Sequence, residues 1–147
     1  MQAIDQIINS AAKSLYMSGG QLEVPIVFRG PNGAAARVGA QHSQDYAGWY
    51  SHIPGLRVVM PAFANDARDL LIASILSDDP VLYIDDRWCA DLEEESTDLK
   101  ELDIKTIGPK TIKEGSDITI VGSGFTSCQA LEAGKELAKD NISAEVI

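Results

Sequence analysis

His42, between Gln41 and Ser43 at the end of the run Val24 to Gln44 (VPIVFRGPNGAAARVGAQHSQ), is the residue best suited to chemistry in this chain. A free imidazole titrates near about 6.5, so it can take up and return a proton around neutrality. The run opens as an apolar strand, Val24 to Phe28, and breaks into the turn-forming Arg29-Gly30-Pro31-Asn32-Gly33. Reactive side chains of α/β proteins gather on loops that leave the carboxyl ends of parallel strands, and His42 lies on such a loop. Glycines and alanines around it let a ligand approach the backbone closely. Residue type alone favours a plainer role, in which a lone loop histidine only hydrogen-bonds its neighbours.

Other candidates carry less. His52 follows a short predicted helix, where an imidazole suits the helix end electrostatically. Arg29 to Gly33 either shapes a pocket or partner interface, or is only a turn with positive φ at Gly30 or Gly33. Gly122-Ser123-Gly124 lacks the third glycine of a dinucleotide fingerprint, since Ser127 stands in that place. Asp85-Asp86 and Glu93-Glu94-Glu95 read as solvated carboxylates. Cys128 opens a predicted helix, with no histidine near it in sequence, and reads as a buried structural thiol. Cys89 and Cys128 are too few and too far apart in sequence for a disulfide framework or a zinc site, and two free thiols fit a reducing compartment.

The elements that must position these residues alternate. Gln2 to Leu15 has Ala3, Ile4, Ile7, Ile8, Ala11 and Leu15 at helical spacing and stops at Gly19-Gly20. Val24 to Phe28 is a strand with the continuous apolar character of burial on both faces. Gln44 to His52 holds a short helix before Pro54-Gly55, and Leu56 to Met60 is the next strand. A helix runs to Leu76, capped by Asn65 or Asp66, and Pro80 to Ile84 is a further buried strand. This order predicts a parallel sheet flanked by helices, an α/β fold. Asp85 to Lys105 is an acidic, solvated connector. Beyond it, strands at Ile107 to Ile112, Asp117 to Val121 and Ser143 to Ile147, with a helix over Ser127 to Lys139, open a second α/β domain.

The 147 residues suffice for a core, 45% of them are hydrophobic, and the formal net charge is -10. That charge argues against nucleic acid or an anionic membrane surface as partner, and no apolar run reaches the roughly 20 residues of a membrane span.

The motifs FRGPNG, QHSQ, Trp49-Tyr50 and HIPGLRVVMP, in this order, resemble the β subunit of the thiamin-diphosphate-dependent decarboxylase component of 2-oxoacid dehydrogenase complexes, in the transketolase-like group. The likeness runs from Met1 to about Pro80, weakens over the acidic segment and returns at Ile107. It implies a partial pyrimidine-binding domain over residues 1–88, a linker over 89–112 and the start of a transketolase C-terminal domain over 113–147. It also implies an internal fragment, because the family's β subunits extend beyond both ends.

The resemblance implies oxidative decarboxylation of a 2-oxoacid with acyl transfer to lipoate. His42 then acts beside the reactive carbon of thiamin diphosphate, with Gln2, Arg29 and Gln41 as cofactor contacts. The family's essential glutamate precedes Met1, and its magnesium and diphosphate motif belongs to the α subunit, so the isolated chain is expected to be inactive. The implied partners are that α subunit, in an α2β2 heterotetramer, and the lipoyl-bearing acyltransferase. The implied location is the cytoplasm, or the mitochondrial matrix in a eukaryote. Ile26, Ser74, Ile75, Ser77 and Asp79 match a family potassium site, although Ser77 stands where Asp is usual and Asp79 where Asn is usual; an ordinary helix end is the other reading. Two further readings of the whole chain are a transketolase or deoxyxylulose-phosphate synthase and a non-catalytic subunit-assembly module.

Overall fold

The computed structural model describes residues 2–34 and 38–147; residues 35–37, in the small-residue segment before His42, lie outside the described part. The first helix is π-helical over Gln6–Ala11 and continues as α1, Ala12–Met17. Its apolar face works as the spacing predicts: Ile4, Ile7 and Ile8 pack with buried Ala12 on Tyr50 and Leu56. Glycines 19 and 20, both at positive φ, end it.

Three strands form the first sheet, β1 (Val27–Asn32), β2 (Arg57–Val59) and β3 (Val81–Asp86). They run parallel in the order β1-β3-β2. The short helix α2 (Ala47–Tyr50) and the longer α3 (Ala64–Ile75) lie between them in sequence. Strand β3 is central, and Val81, Tyr83 and Ile84 on it are buried. The Tyr83 hydroxyl donates to the Ala67 carbonyl of α3 at 2.7 Å, and burial pushes its phenol up to about 12. The fold therefore favours the protonated phenol. That contribution is full below the ordinary phenol range, near about 10, and is lost as pH rises through the folded value. Tyr83→Phe is expected to cost about 1 kcal/mol at neutral pH and to remove the Tyr83 share of the alkaline loss of stability, both read by urea unfolding across pH.

Four expectations change. The run Arg29 to Asn32 is not a turn: it continues β1, in register with Tyr83 to Asp86, and the chain turns only at Gly33 (φ 79°). Pro31 is tolerated because β1 is an edge strand, where a missing N–H breaks no second ladder. Neither Asn65 nor Asp66 caps α3, whose N-cap position is Phe63. Asn65 lies inside the helix, and its N–H reaches Glu94 Oε2 at 2.8 Å.

The acidic connector is exposed over residues 91–101, as expected, but it is fastened to α3 and its end enters the core. Asn65 Nδ2 donates to the Glu95 carbonyl and its Oδ1 accepts from Thr97 N–H, while Arg68 donates to the carbonyls of Thr97 and Asp98. Arg68 also holds the buried Asp69 carboxyl below its ordinary range, chiefly through a hydrogen bond. Leu102 and Ile104 then enter the core with Ala73 and Val81. Finally, Ile107 to Ile112 forms no strand; Lys113 only bridges to Val146. The second unit is otherwise as predicted, with parallel β4 (Ile118–Ile120) and β5 (Ala144–Val146) joined by α4 (Phe125–Lys139).

Candidate functional site

The carboxyl ends of β1 and β3 lie side by side, with Asn32 opposite Asp86 in the register. A returning segment is fastened across them. Gly33 N–H donates to the Gln44 carbonyl at 3.0 Å, and Tyr46 N–H donates to Asn32 Oδ1 at 3.0 Å. Arg87, the first residue after β3, donates through Nη1 to the Gly33 carbonyl at 2.9 Å and to the His42 carbonyl. His42 thus ends a single 3-10 turn, Ala40–His42, held by its backbone to two strand ends with its side chain exposed. Gln41 shares that turn and is also exposed. Asn32 is 3% exposed, and its Nδ2 has no partner among the described residues. A buried amide donor left open beside the His42 loop can serve a polar ligand there, since such donors are otherwise paired.

Asp86 joins the two units. Its Oδ1 accepts from Trp88 N–H at 3.0 Å and its Oδ2 from Phe125 N–H at 2.9 Å, the first amide of α4. The carboxylate sits where the helix macrodipole favours negative charge. Gly124 makes this approach possible: at its φ of 54° a Cβ would lie 2.7 Å from Asp86 Oδ2 and 2.6 Å from Met60 Cε. Asp86→Ala leaves two amides without acceptors and is expected to cost about 2 kcal/mol. Hydrogen exchange at the Phe125 amide should accelerate in step.

The remaining expected site residues are scattered. Arg29 is bound at two points by Asp85, Nε to Oδ2 at 2.8 Å and Nη2 to Oδ1 at 3.2 Å, and lies over the Tyr83 ring. Asp85 and Asp86 are therefore strand residues with partners, not solvated carboxylates. Gln2 is exposed just before the first helix. His52 bonds through Nδ1 to the Gly48 carbonyl at 3.3 Å, which fits the structural role expected of it. A groove of about 950 Å³, lined by Ala12, Leu15, Tyr16, Leu56 and Pro80 among others, includes none of His42, Gln41, Arg29 or Gln2.

The residues expected at a potassium site, Ile26, Ser74, Ile75, Ser77 and Asp79, already carry protein partners at three positions. Arg57 holds Asp79 Oδ2 through Nε at 2.8 Å and Nη2 at 2.7 Å, placing a fixed positive charge at the one carboxylate of the set. The Ile26 carbonyl accepts from Val81 N–H, and the Ser74 carbonyl accepts from Leu76 and Ser77. Among the described residues, no group of three or more His, Cys, Asp or Glu side chains could hold a metal.

Sequence reading overlooked Arg87, placed Asn32 in a turn and took Asp86 for a solvated carboxylate. The rule that selected His42, position at the carboxyl end of a parallel strand, points to all three once β1 and β3 are given their full lengths.

Residues 2–87 match the family described as the transketolase pyrimidine-binding domain. The chain belongs to this family. Residues 109–147 match the transketolase C-terminal domain. Among curated relatives, the pyruvate dehydrogenase E1 component subunit beta of Rhizobium meliloti is 53% identical over 150 residues, which is 100% of this chain and 32% of the relative. The mitochondrial subunit beta-1 of Oryza sativa is also 53% identical, over 100% of this chain and 40% of that protein. The pyrimidine-domain chain thus spans well under half the length of these relatives. Its fold is similar to a solved chain described as a split-gene transketolase, inactive beta4 tetramer, with TM-score 0.74, 26% identity and 99% of this chain covered against 43% of that one. A Pichia stipitis transketolase is similar in fold alone, with TM-score 0.65 and 21% identity over 91% of this chain and 21% of that one.

Proposed function

We propose that this chain is part of the β subunit of a pyruvate dehydrogenase decarboxylase component, with His42 as its proton-handling group. The carrying observation is that the QHSQ loop, in a chain 53% identical along its whole length to such subunits, is fastened by Arg87 across the ends of two parallel strands. The proposed division is 1–88, 89–112 and 113–147, with the connector strapped along α3.

The residues present fit one wall of a thiamin diphosphate site. Asn32 offers an unpaired buried amide and Gln41 an exposed one, beside an imidazole. They offer nothing for the diphosphate, since Arg29 is engaged by Asp85 and Arg87 by carbonyls. That end, with its magnesium, falls to an α subunit, as part of an α2β2 assembly. Thiamin diphosphate, when bound, supplies the carbanion chemistry. The part of this chain is to orient the ring face through Gln41 and Asn32, with Gln2 at the border. His42 would move a proton at an imidazole nitrogen as the acyl group passes to the lipoyl group of the acyltransferase. The protein would work in a bacterial cytoplasm or a mitochondrial matrix.

The test uses the complete subunit co-expressed with a candidate α subunit. Calorimetry is expected to show thiamin diphosphate binding to the pair and none to the 147-residue chain, and the pair should turn over pyruvate. Turnover of a ketose phosphate in place of a 2-oxoacid, or cofactor binding by the short chain alone, would overturn the reading.

A further inference from the structure

Cys89 and Cys128, dismissed as a pair on sequence spacing, meet in the fold. Cys89 ends the 3-10 turn Arg87–Cys89 that follows β3, and Cys128 lies in the first turn of α4. Two contacts that involve no sulfur hold these segments together. The Trp88 ring stacks on Phe125 with centroids 5.6 Å apart and planes at 27°, and Asp86 accepts the Phe125 N–H. These contacts bring Cys89, the neighbour of Trp88, and Cys128, one helical turn beyond Phe125, to the same junction, where the two thiols are close enough to influence each other. Both cysteines are free and half-buried, so small reagents can reach them, and the chain has no others. A metal does not explain the pair, because the described residues offer no third ligand.

We propose that Cys89 and Cys128 are an oxidation site, which closes an intramolecular disulfide between the end of β3 and α4 when it meets a small disulfide of the glutathione class. Burial and the nearby Asp86 charge push the Cys89 thiol up to about 12, so Cys89 stays protonated and Cys128 attacks first. The Cys128 thiolate displaces one glutathione thiolate from the small disulfide, leaving a mixed disulfide on Cys128. Cys89 then loses its proton to solvent as its sulfur attacks the Cys128 sulfur, and the second glutathione thiolate departs. Two protein thiols become one disulfide, and one small disulfide becomes two small thiols. The new bond would bracket the acidic connector and tie the pyrimidine-binding unit to the C-terminal one.

The full chain is incubated with glutathione disulfide and its mass read without reductant. The expected product is monomeric and lighter by two hydrogens, with both cysteines closed to alkylation. After proteolytic cleavage inside the acidic connector, its two halves should stay joined until dithiothreitol is added. Cys89→Ser should instead stop at a stable glutathione adduct on Cys128. The proposal fails if the wild-type chain accumulates a mixed disulfide, forms the bond only between molecules, or keeps both thiols open to alkylation after incubation. The wild-type arm decides the matter even where the variant folds poorly.

Discussion

His42→Ala in the complete two-subunit assembly is expected to lower turnover to the lipoyl acceptor by about 10²–10⁴-fold, the usual share of a positioned acid or base. Folding should hardly change. The ring is exposed, and the residue's contacts are made by its backbone: its N–H to the Gly39 carbonyl at 3.3 Å and its carbonyl to Arg87. Alanine keeps both. The discriminating measurement is kcat with a lipoyl acceptor set beside the thermal midpoint. A large fall in kcat with an unmoved midpoint supports proton handling, and unchanged kcat makes His42 a plain loop residue. Arg87→Ala should differ in kind, lowering both readouts, because it releases Gly33 and His42 from the end of β3 at once.

Local pattern carried most of this fold. Periodicity located the first helix, α3 and α4, and apolar runs located β2 and β3 within a residue or two. Pattern failed where a distant partner overrides local chemistry. Arg29-Gly30-Pro31-Asn32 has the composition of a turn, yet four residues of β3, Tyr83 to Asp86, stand ready to pair with it, and an edge position accommodates the proline. Glu94 and Glu95 are exposed, as their composition suggests, yet Asn65 from another element fixes the segment through the Glu94 carboxylate and the Glu95 carbonyl. Asp86 looks like one of two surface acids, and only the arrival of Phe125 makes it the joint between units. The same arrival brings Cys128 to Cys89. Of the site, His42 was legible as a strand-end loop residue, whereas its anchor Arg87 and the open amide of Asn32 depend on register, which one sequence does not display.

Gly55→Ala is expected to destabilise the chain by about 2–5 kcal/mol, the sum of an overpacking cost of about 1–3 kcal/mol and a left-handed backbone cost of about 1–2 kcal/mol. Gly55 has φ 88°, and a Cβ there would lie 1.9 Å from the Ala12 carbonyl oxygen and 3.0 Å from its carbon. The obstacle is backbone, so no rotamer change relieves it, and Ala12→Gly should not rescue the variant. What must give is the seat of the first helix on Tyr50 and Leu56, the cluster that holds Ile4, Ile7 and Ile8. Gln2 precedes that helix, so any cofactor contact it makes is displaced with it. A lower urea midpoint, or loss of soluble protein that Ala12→Gly leaves unchanged, is the expected outcome. A variant as stable as the wild type would mean that the helix and the Pro54-Gly55 turn are not in contact, and the packing described for the first unit would be wrong.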